Sequence, residues 1–204
     1  LGYQVYLAPF SANGKPLHVQ GFLSAFNRAA LRNARQLREL ADVGVPLVGL
    51  DPAMTLVYRQ EYQKVPGMQA CPEVALLQEW LLDVMSEQAP EGTAETFRLL
   101  AHCTEKTNAP AATRQWEQVF ERVGLKLTTQ ATGCCGMSGT YGHEARNRDT
   151  SAVIYEQSWA RQIDAPALKG EALATGYSCR SQVKRQSDRA VRHPLQVLLE
   201  RVRR

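Results

Sequence analysis

Apolar positions along the chain switch between two spacings, and the switches sketch the fold before any motif is considered. Tyr3, Val5, Tyr6 and Leu7 combine aromatic and β-branched residues as a strand does, and a loop bearing Gly14 and Pro16 follows. From Gly21 the spacing turns helical. Phe22, Phe26, Ala30, Leu37 and Ala41 recur with arginines between them, and Gly44 is a natural stop. Residues 45–50 form a short apolar run suited to a buried strand. Asp51 then offers an N-cap, and Pro52 the first helical position, for a helix reaching about Tyr62. After the Pro66-Gly67 break, residues 72–85 predict another amphipathic helix.

Residues 86–96 are polar, include Pro90 and Gly92, and mark the expected boundary between two units. A second αβ series follows. Residues 97–101 read as a strand that delivers Cys103. Residues 110–122 read as a helix with Trp116, Val119 and Phe120 on one face, closed by Gly124. Residues 125–129 make a strand leading to Cys134 and Cys135, and residues 151–162 a helix. A strand near 171–175 delivers Cys179, and residues 194–202 form a last helix. Trp80, Trp116 and Trp159 fall on apolar helix faces and are expected in the core. The fold class expected is α/β, in two units over residues 1–86 and 97–204. Gly49-Leu50-Asp51-Pro52 and Gly176-Tyr177-Ser178-Cys179 occupy the same local pattern, which makes the first unit a degenerate repeat of the second.

Composition narrows the class. The 204 residues are 44% hydrophobic and 22% charged, as in an ordinary globular protein with room for a core. No run approaches the roughly 20 apolar residues of a membrane span. No signal peptide is visible, so a cytoplasmic setting is expected. The first residue is Leu1, not Met, so the chain reads as a piece of a longer protein. The net charge is +4, and residues 180–204 hold eight Lys or Arg against Asp188 and Glu200. That basic end reads as a solvated helix face, with nucleic-acid binding ranked last among the functions considered.

The five cysteines change the picture most. An odd number without a secretory signal points to free thiols in a reducing compartment. Cys134 and Cys135 are adjacent, and neighbours cannot easily form a disulfide because the short ring strains the bond geometry. The flanking Gly133 and Gly136 let the backbone pass close to a bulky group and turn its N–H groups toward it. Cys103, Cys134, Cys135 and Cys179 are therefore read as one ligand set, for an iron–sulfur cluster or a soft metal. Cys71 has no motif partner and reads as a structural thiol. His102 either hydrogen-bonds a sulfur, replaces a ligand, or caps and packs. His143 follows the glycine turn as an exposed residue or a neighbour of the centre, and His193 opens the last helix. The series Gly133, Gly136, Gly139 and Gly142 lacks the ending and spacing of a nucleotide loop. No acid–base or nucleophilic constellation is complete.

Thirty residues separate Cys103 from Cys134, and forty-three separate Cys135 from Cys179. With the Cys134-Cys135-Gly136 triplet, this resembles the cysteine-rich CCG domain. That domain occurs in subunits of heterodisulfide reductase and anaerobic glycerol-3-phosphate dehydrogenase, and in the iron–sulfur subunits of glycolate and lactate oxidation. The resemblance covers residues 97–204, and residues 1–86 are similar to the later part of a first repeat without its cysteines. Residues 101–108, around His102-Cys103-Thr104, and residues 135–144 resemble the C-terminal region of large bacterial FAD-linked oxidases of the D-2-hydroxyglutarate dehydrogenase type.

The resemblance implies an electron-transfer module holding a [4Fe–4S] cluster on Cys103, Cys134, Cys135 and Cys179, with the Gly133 and Gly136 backbone beside it. FAD and ferredoxin-like domains of the parent chain are the implied partners, with a quinone or another acceptor beyond them. A place beside the inner face of the membrane is a further implied setting. One departure matters. The family closes on Cys-x-x-Cys, and here Gly176 stands in the first of those places and Cys179 in the second. Four thiolates remain, enough for [4Fe–4S] or for tetrahedral zinc, and one fewer than the family's non-cubane cluster takes. A structural zinc or docking module without redox function is the competing expectation.

Overall fold

The computed structural model describes residues 1–86, 95–164 and 168–203, so Pro90 and Gly92 of the expected boundary lie outside the described residues. The chain divides into two units, Leu1–Met85 and Ser86–Arg204.

The first unit contains α1 (Lys15–Val19), α2 (Leu23–Ala41), β1 (Val48–Gly49), α3 (Pro52–Arg59), β2 (Ala75–Leu76) and α4 (Leu77–Val84). Helix α2 buries Phe26, Ala30 and Ala34 against Val57, Tyr62 and Val65, the apolar stripe its period predicts. Asp51 caps α3 by accepting the Met54 N–H at 3.1 Å, and Pro52 stands at its first position. Two expectations are corrected. Residues 3–9 form no strand. A strand needs a neighbouring strand for its backbone groups, and none among the described residues pairs with this segment. Val5 and Leu7 are exposed there, while Tyr3 meets the Trp80 ring edge-on at 5.1 Å. The helix expected from residue 72 begins only at Leu77. Ala75 and Leu76 first pair in parallel with Val48 and Gly49, and Glu79 accepts the Leu76 N–H at 2.8 Å.

The second unit is built on β3 (Thr96–Leu100), β4 (Lys126–Thr129) and β5 (Glu171–Ala174), parallel and in the order β4-β3-β5. Its helices are α5 (Cys103–Asn108), α6 (Ala112–Glu121), α7 (Arg148–Tyr155), a π-helical turn (Glu156–Ala160), α8 (Arg161–Asp164), α9 (Tyr177–Ser187) and α10 (Pro194–Arg203). Alternation along β3 sends its side chains to two faces. Phe97 packs on Phe120 of α6, with ring centroids 5.7 Å apart. Leu100 joins Tyr155, Trp159, Ile163 and Val183 in one apolar cluster, and Arg98 donates to the Gln162 carbonyl at 2.8 Å. Helices thus cover both faces of the sheet, as a parallel sheet requires, and the fold is α/β.

Strand order places the site. From β3 the chain moves to one neighbour, β4, and then crosses to the other side of β3 to form β5. The C-terminal ends of such strands, where the winding reverses, are where α/β sheets present ligand-binding loops.

Candidate metal centre

All four candidate sulfurs leave the same edge of the sheet. Cys103 opens α5 just beyond β3, Cys134 and Cys135 lie in the loop after β4, and Cys179 lies in the first turn of α9 just beyond β5. Cys103 and Cys134 are partly exposed, whereas Cys135 and Cys179 are buried at 3% and 1% exposure. The thiols form one connected set. Cys134 is electrostatically coupled to Cys103 and Cys135, Cys135 in turn to Cys179, and Cys103 lies within electrostatic reach of Cys179.

Protons are shared unequally along this set. The neighbouring Cys103 and Cys135 thiols, with the Gly136 and Ser138 N–H groups behind them, push Cys134 far below the ordinary thiol range. Cys103 is pushed up by its bond to Cys134 and by burial. Cys135 is pushed up by its bonds to Cys134 and Cys179 and by burial. Among the described residues no group of three or more His, Cys, Asp or Glu side chains already has a metal-holding arrangement. The donor set nevertheless suits a soft four-coordinate centre. Four sulfurs from three strand ends converge, and a metal entering between them would displace the shared protons.

The loop that carries Cys134 and Cys135 is fixed from all sides. The Gly133 N–H donates to Ser158 Oγ at 2.7 Å, and the Gly133 carbonyl accepts from Trp159 Nε1 at 3.1 Å. Ser158 and Trp159 sit in the π-helical turn, a feature often found beside functional loops. Lys106 of α5 donates to the Thr132 carbonyl. Ser151 Oγ donates to the Gly136 carbonyl at 2.8 Å, Gln182 holds Ser151 at 2.9 Å, and Arg185 binds the Gly142 carbonyl. Of the two glycines expected to face the centre, Gly136 points its N–H at Cys134 Sγ across 3.3 Å, while the Gly133 N–H is taken by Ser158.

A buried acid ties the strand ends together. Glu105, 1% exposed, accepts from Trp116 Nε1 at 3.1 Å and from Thr175 Oγ1. Thr175 in turn accepts the His102 backbone N–H at 3.0 Å. His102 caps α5, its Nδ1 accepting the Thr104 N–H at 3.1 Å. His193 caps α10 in the same way, its Nδ1 accepting the Leu195 N–H at 3.1 Å, and His143 lies exposed in a single 3₁₀ turn. Cys71 belongs to the first unit, partly buried against its Phe26–Tyr62 cluster. Sequence reasoning missed Ser151, Ser158, Gln182 and Arg185. They form no motif, and only tertiary contact gives them a role.

Fold and site define an α/β module that gathers four thiols at the C-terminal edge of a parallel sheet. Known proteins similar to the chain are oxidoreductases. A D-2-hydroxyglutarate dehydrogenase of Pseudomonas putida is 71% identical over 204 residues, which is 100% of the chain and 20% of that enzyme. The D-2-hydroxyglutarate dehydrogenase of Escherichia coli is 47% identical over 203 residues, 98% of the chain and 20% of the enzyme. One subunit of the anaerobic glycerol-3-phosphate dehydrogenase of E. coli is 24% identical over 194 residues, 92% of the chain and 48% of that polypeptide. The chain spans about a fifth of the length of the D-2-hydroxyglutarate dehydrogenases it matches. No family model and no solved structure matches it. Among the described residues no helix is long and apolar enough to cross a membrane.

Proposed function

We propose that the chain is the C-terminal iron–sulfur electron-transfer module of a larger FAD-linked 2-hydroxyacid dehydrogenase of the D-2-hydroxyglutarate type. The observation that carries this reading is the placement of Cys103, Cys134, Cys135 and Cys179 just beyond the ends of three adjacent parallel strands. Similarity to D-2-hydroxyglutarate dehydrogenases supports the choice of parent, and similarity to part of an anaerobic glycerol-3-phosphate dehydrogenase supports the CCG type. The second unit, residues 97–204, is the CCG-type unit. Residues 1–86 are its degenerate counterpart, a reading supported by a helix that opens just after a parallel strand in both, β1 before α3 and β5 before α9.

In this reading the four thiolates hold a [4Fe–4S] cluster, which supplies one-electron steps between a two-electron flavin and the acceptor. The protein does the rest. The Gly136 N–H offsets negative charge at Cys134. Burial of Cys135 and Cys179 keeps water from the inner side of the site. Partly exposed Cys103 and Cys134 form the side nearest an electron partner. Flavin and ferredoxin-like domains of the parent chain are that partner on the donor side. A quinone or another acceptor, at the cytoplasmic face of the membrane, takes the electrons onward.

Anaerobic preparation with metal and sulfide analysis tests the reading. The expected result is about four iron and four sulfide per chain with a reducible EPR signal. Replacing Cys135 with Ser should abolish that signal, and unchanged iron and visible absorbance in the variant would overturn the assignment. One zinc and no sulfide would make the unit a structural module.

A further inference from the structure

Gly176 is the N-cap residue of α9, and Cys179 is the third residue of that helix. A side chain at an N-cap reaches over the first turn toward the third helical residue. Accordingly, a Cβ built on Gly176 would stand 3.2 Å from Cys179 Sγ. The same Cβ would collide with the imidazole of His102, 2.4 Å from Cδ2 and 3.1 Å from Cγ. The space into which a residue at 176 would extend, beside the Cys179 sulfur, is thus filled by a ring from another strand end.

That ring is held on two sides. His102 is 7% exposed, its backbone N–H is bound to Thr175 Oγ1, and its Nδ1 accepts the Thr104 N–H. With the Nδ1 lone pair committed to a backbone donor, the neutral ring carries its proton on Nε2, which lies 3.4 Å from Ser178 Oγ. A protonated ring nitrogen has no lone pair to give a metal. This separates the roles the sequence leaves open for His102.

We infer that His102 stands in the place of a fifth sulfur and closes the centre at four thiolates without being a ligand. Its ring takes the room that a cysteine at 176 would need, and the hydrogen bond from Thr104 keeps Nε2 from coordinating. His102 is a positioning residue: glycine at 176 limits the thiols to four, and the ring keeps the room beside Cys179 closed to a fifth. The steric half of the inference stands without any metal, and the ligand half rests on the iron–sulfur reading above.

A double-mutant cycle tests the steric half on the metal-free chain. Serine keeps an N-cap for α5 while removing the ring, so His102→Ser is the partner for Gly176→Ala. Gly176→Ala alone should raise the unfolding equilibrium constant about tenfold or more, and in the His102→Ser background less than about threefold. Equal effects in both backgrounds would overturn the inference. The loaded protein tests the other half by counting thiols protected from alkylation. The wild type and His102→Ser should each protect four, and His102→Ser with Gly176→Cys should protect five. Gly176→Cys alone should retain less iron than the wild type, and wild-type iron with five protected thiols there would overturn the inference. Nitrogen hyperfine coupling of a directly bound imidazole in the wild type, lost in His102→Ser, would also overturn it. If the wild type takes up no iron, the iron–sulfur reading fails while the metal-free cycle still decides the position of the ring.

Discussion

Gly136 shows most plainly how a single residue shapes the site. Its φ of 90° lies in the left-handed region, and a Cβ there would stand 2.2 Å from the Ser151 carbonyl oxygen. The glycine therefore serves two ends at once. It lets the loop turn so that its N–H meets Cys134, and it lets α7 pack directly on the turn. Gly136→Ala should destabilise the chain by about 1–3 kcal/mol from backbone strain alone, with more from the collision. Urea unfolding measures this, and an unchanged midpoint would show that the loop moves freely off α7. The residue type was legible in the sequence as a glycine beside paired cysteines. The carbonyl that forbids a side chain was not, because Ser151 is fifteen positions away and reaches Gly136 only through the packing of a helix.

Between elements, buried polar groups fix where irregular segments lie. In the first unit Tyr62, fully buried in the turn after α3, donates its hydroxyl to the Asn13 carbonyl at 2.8 Å and pins the segment before α1. Burial pushes the Tyr62 phenol far up, with the neighbouring Tyr58 and Cys71 adding to the rise. The folded state thus binds this proton more tightly than the unfolded chain, whose tyrosines titrate near about 10. The resulting stability is fully present below about pH 10 and falls as the pH rises above it, because only the unfolded state can then ionise. Tyr62→Phe should reduce that alkaline loss, while costing about 1–2 kcal/mol at neutral pH by leaving the Asn13 carbonyl without its donor. Denaturant midpoints of both proteins across pH 7 to about 11 check this, and parallel curves would rule out Tyr62 as the source. Long periodic helices such as α2 and α6 were legible from spacing. Short polar α5 was not, since Thr104, Glu105, Lys106, Thr107 and Asn108 show no apolar period, and it is held by Glu105 buried against Trp116 and Thr175.

For the molecule as a whole, the proposed centre would be a cross-link among three strand ends of the second unit. Filling it should stabilise that unit in proportion to metal affinity, by about 2.7 kcal/mol at a free metal concentration one hundred times the dissociation constant. Trp116 and Trp159 are buried in this unit and report its unfolding by fluorescence. Loading with iron and sulfide should move their transition to higher urea, chelation should reverse it, and an unmoved transition would mean that the sulfurs do not act as one site. By itself the sequence determined the α/β class and most strands of the second unit, and it singled out four cysteines, because hydrophobic period and adjacent residue types are local and survive in one dimension. Only the tertiary structure decided that residues 3–9 lie outside any strand, that Gly133 turns its N–H to Ser158, and that His102 rests over Gly176. Each of these depends on which distant groups reach the same few ångströms, and chain spacing carries no record of that.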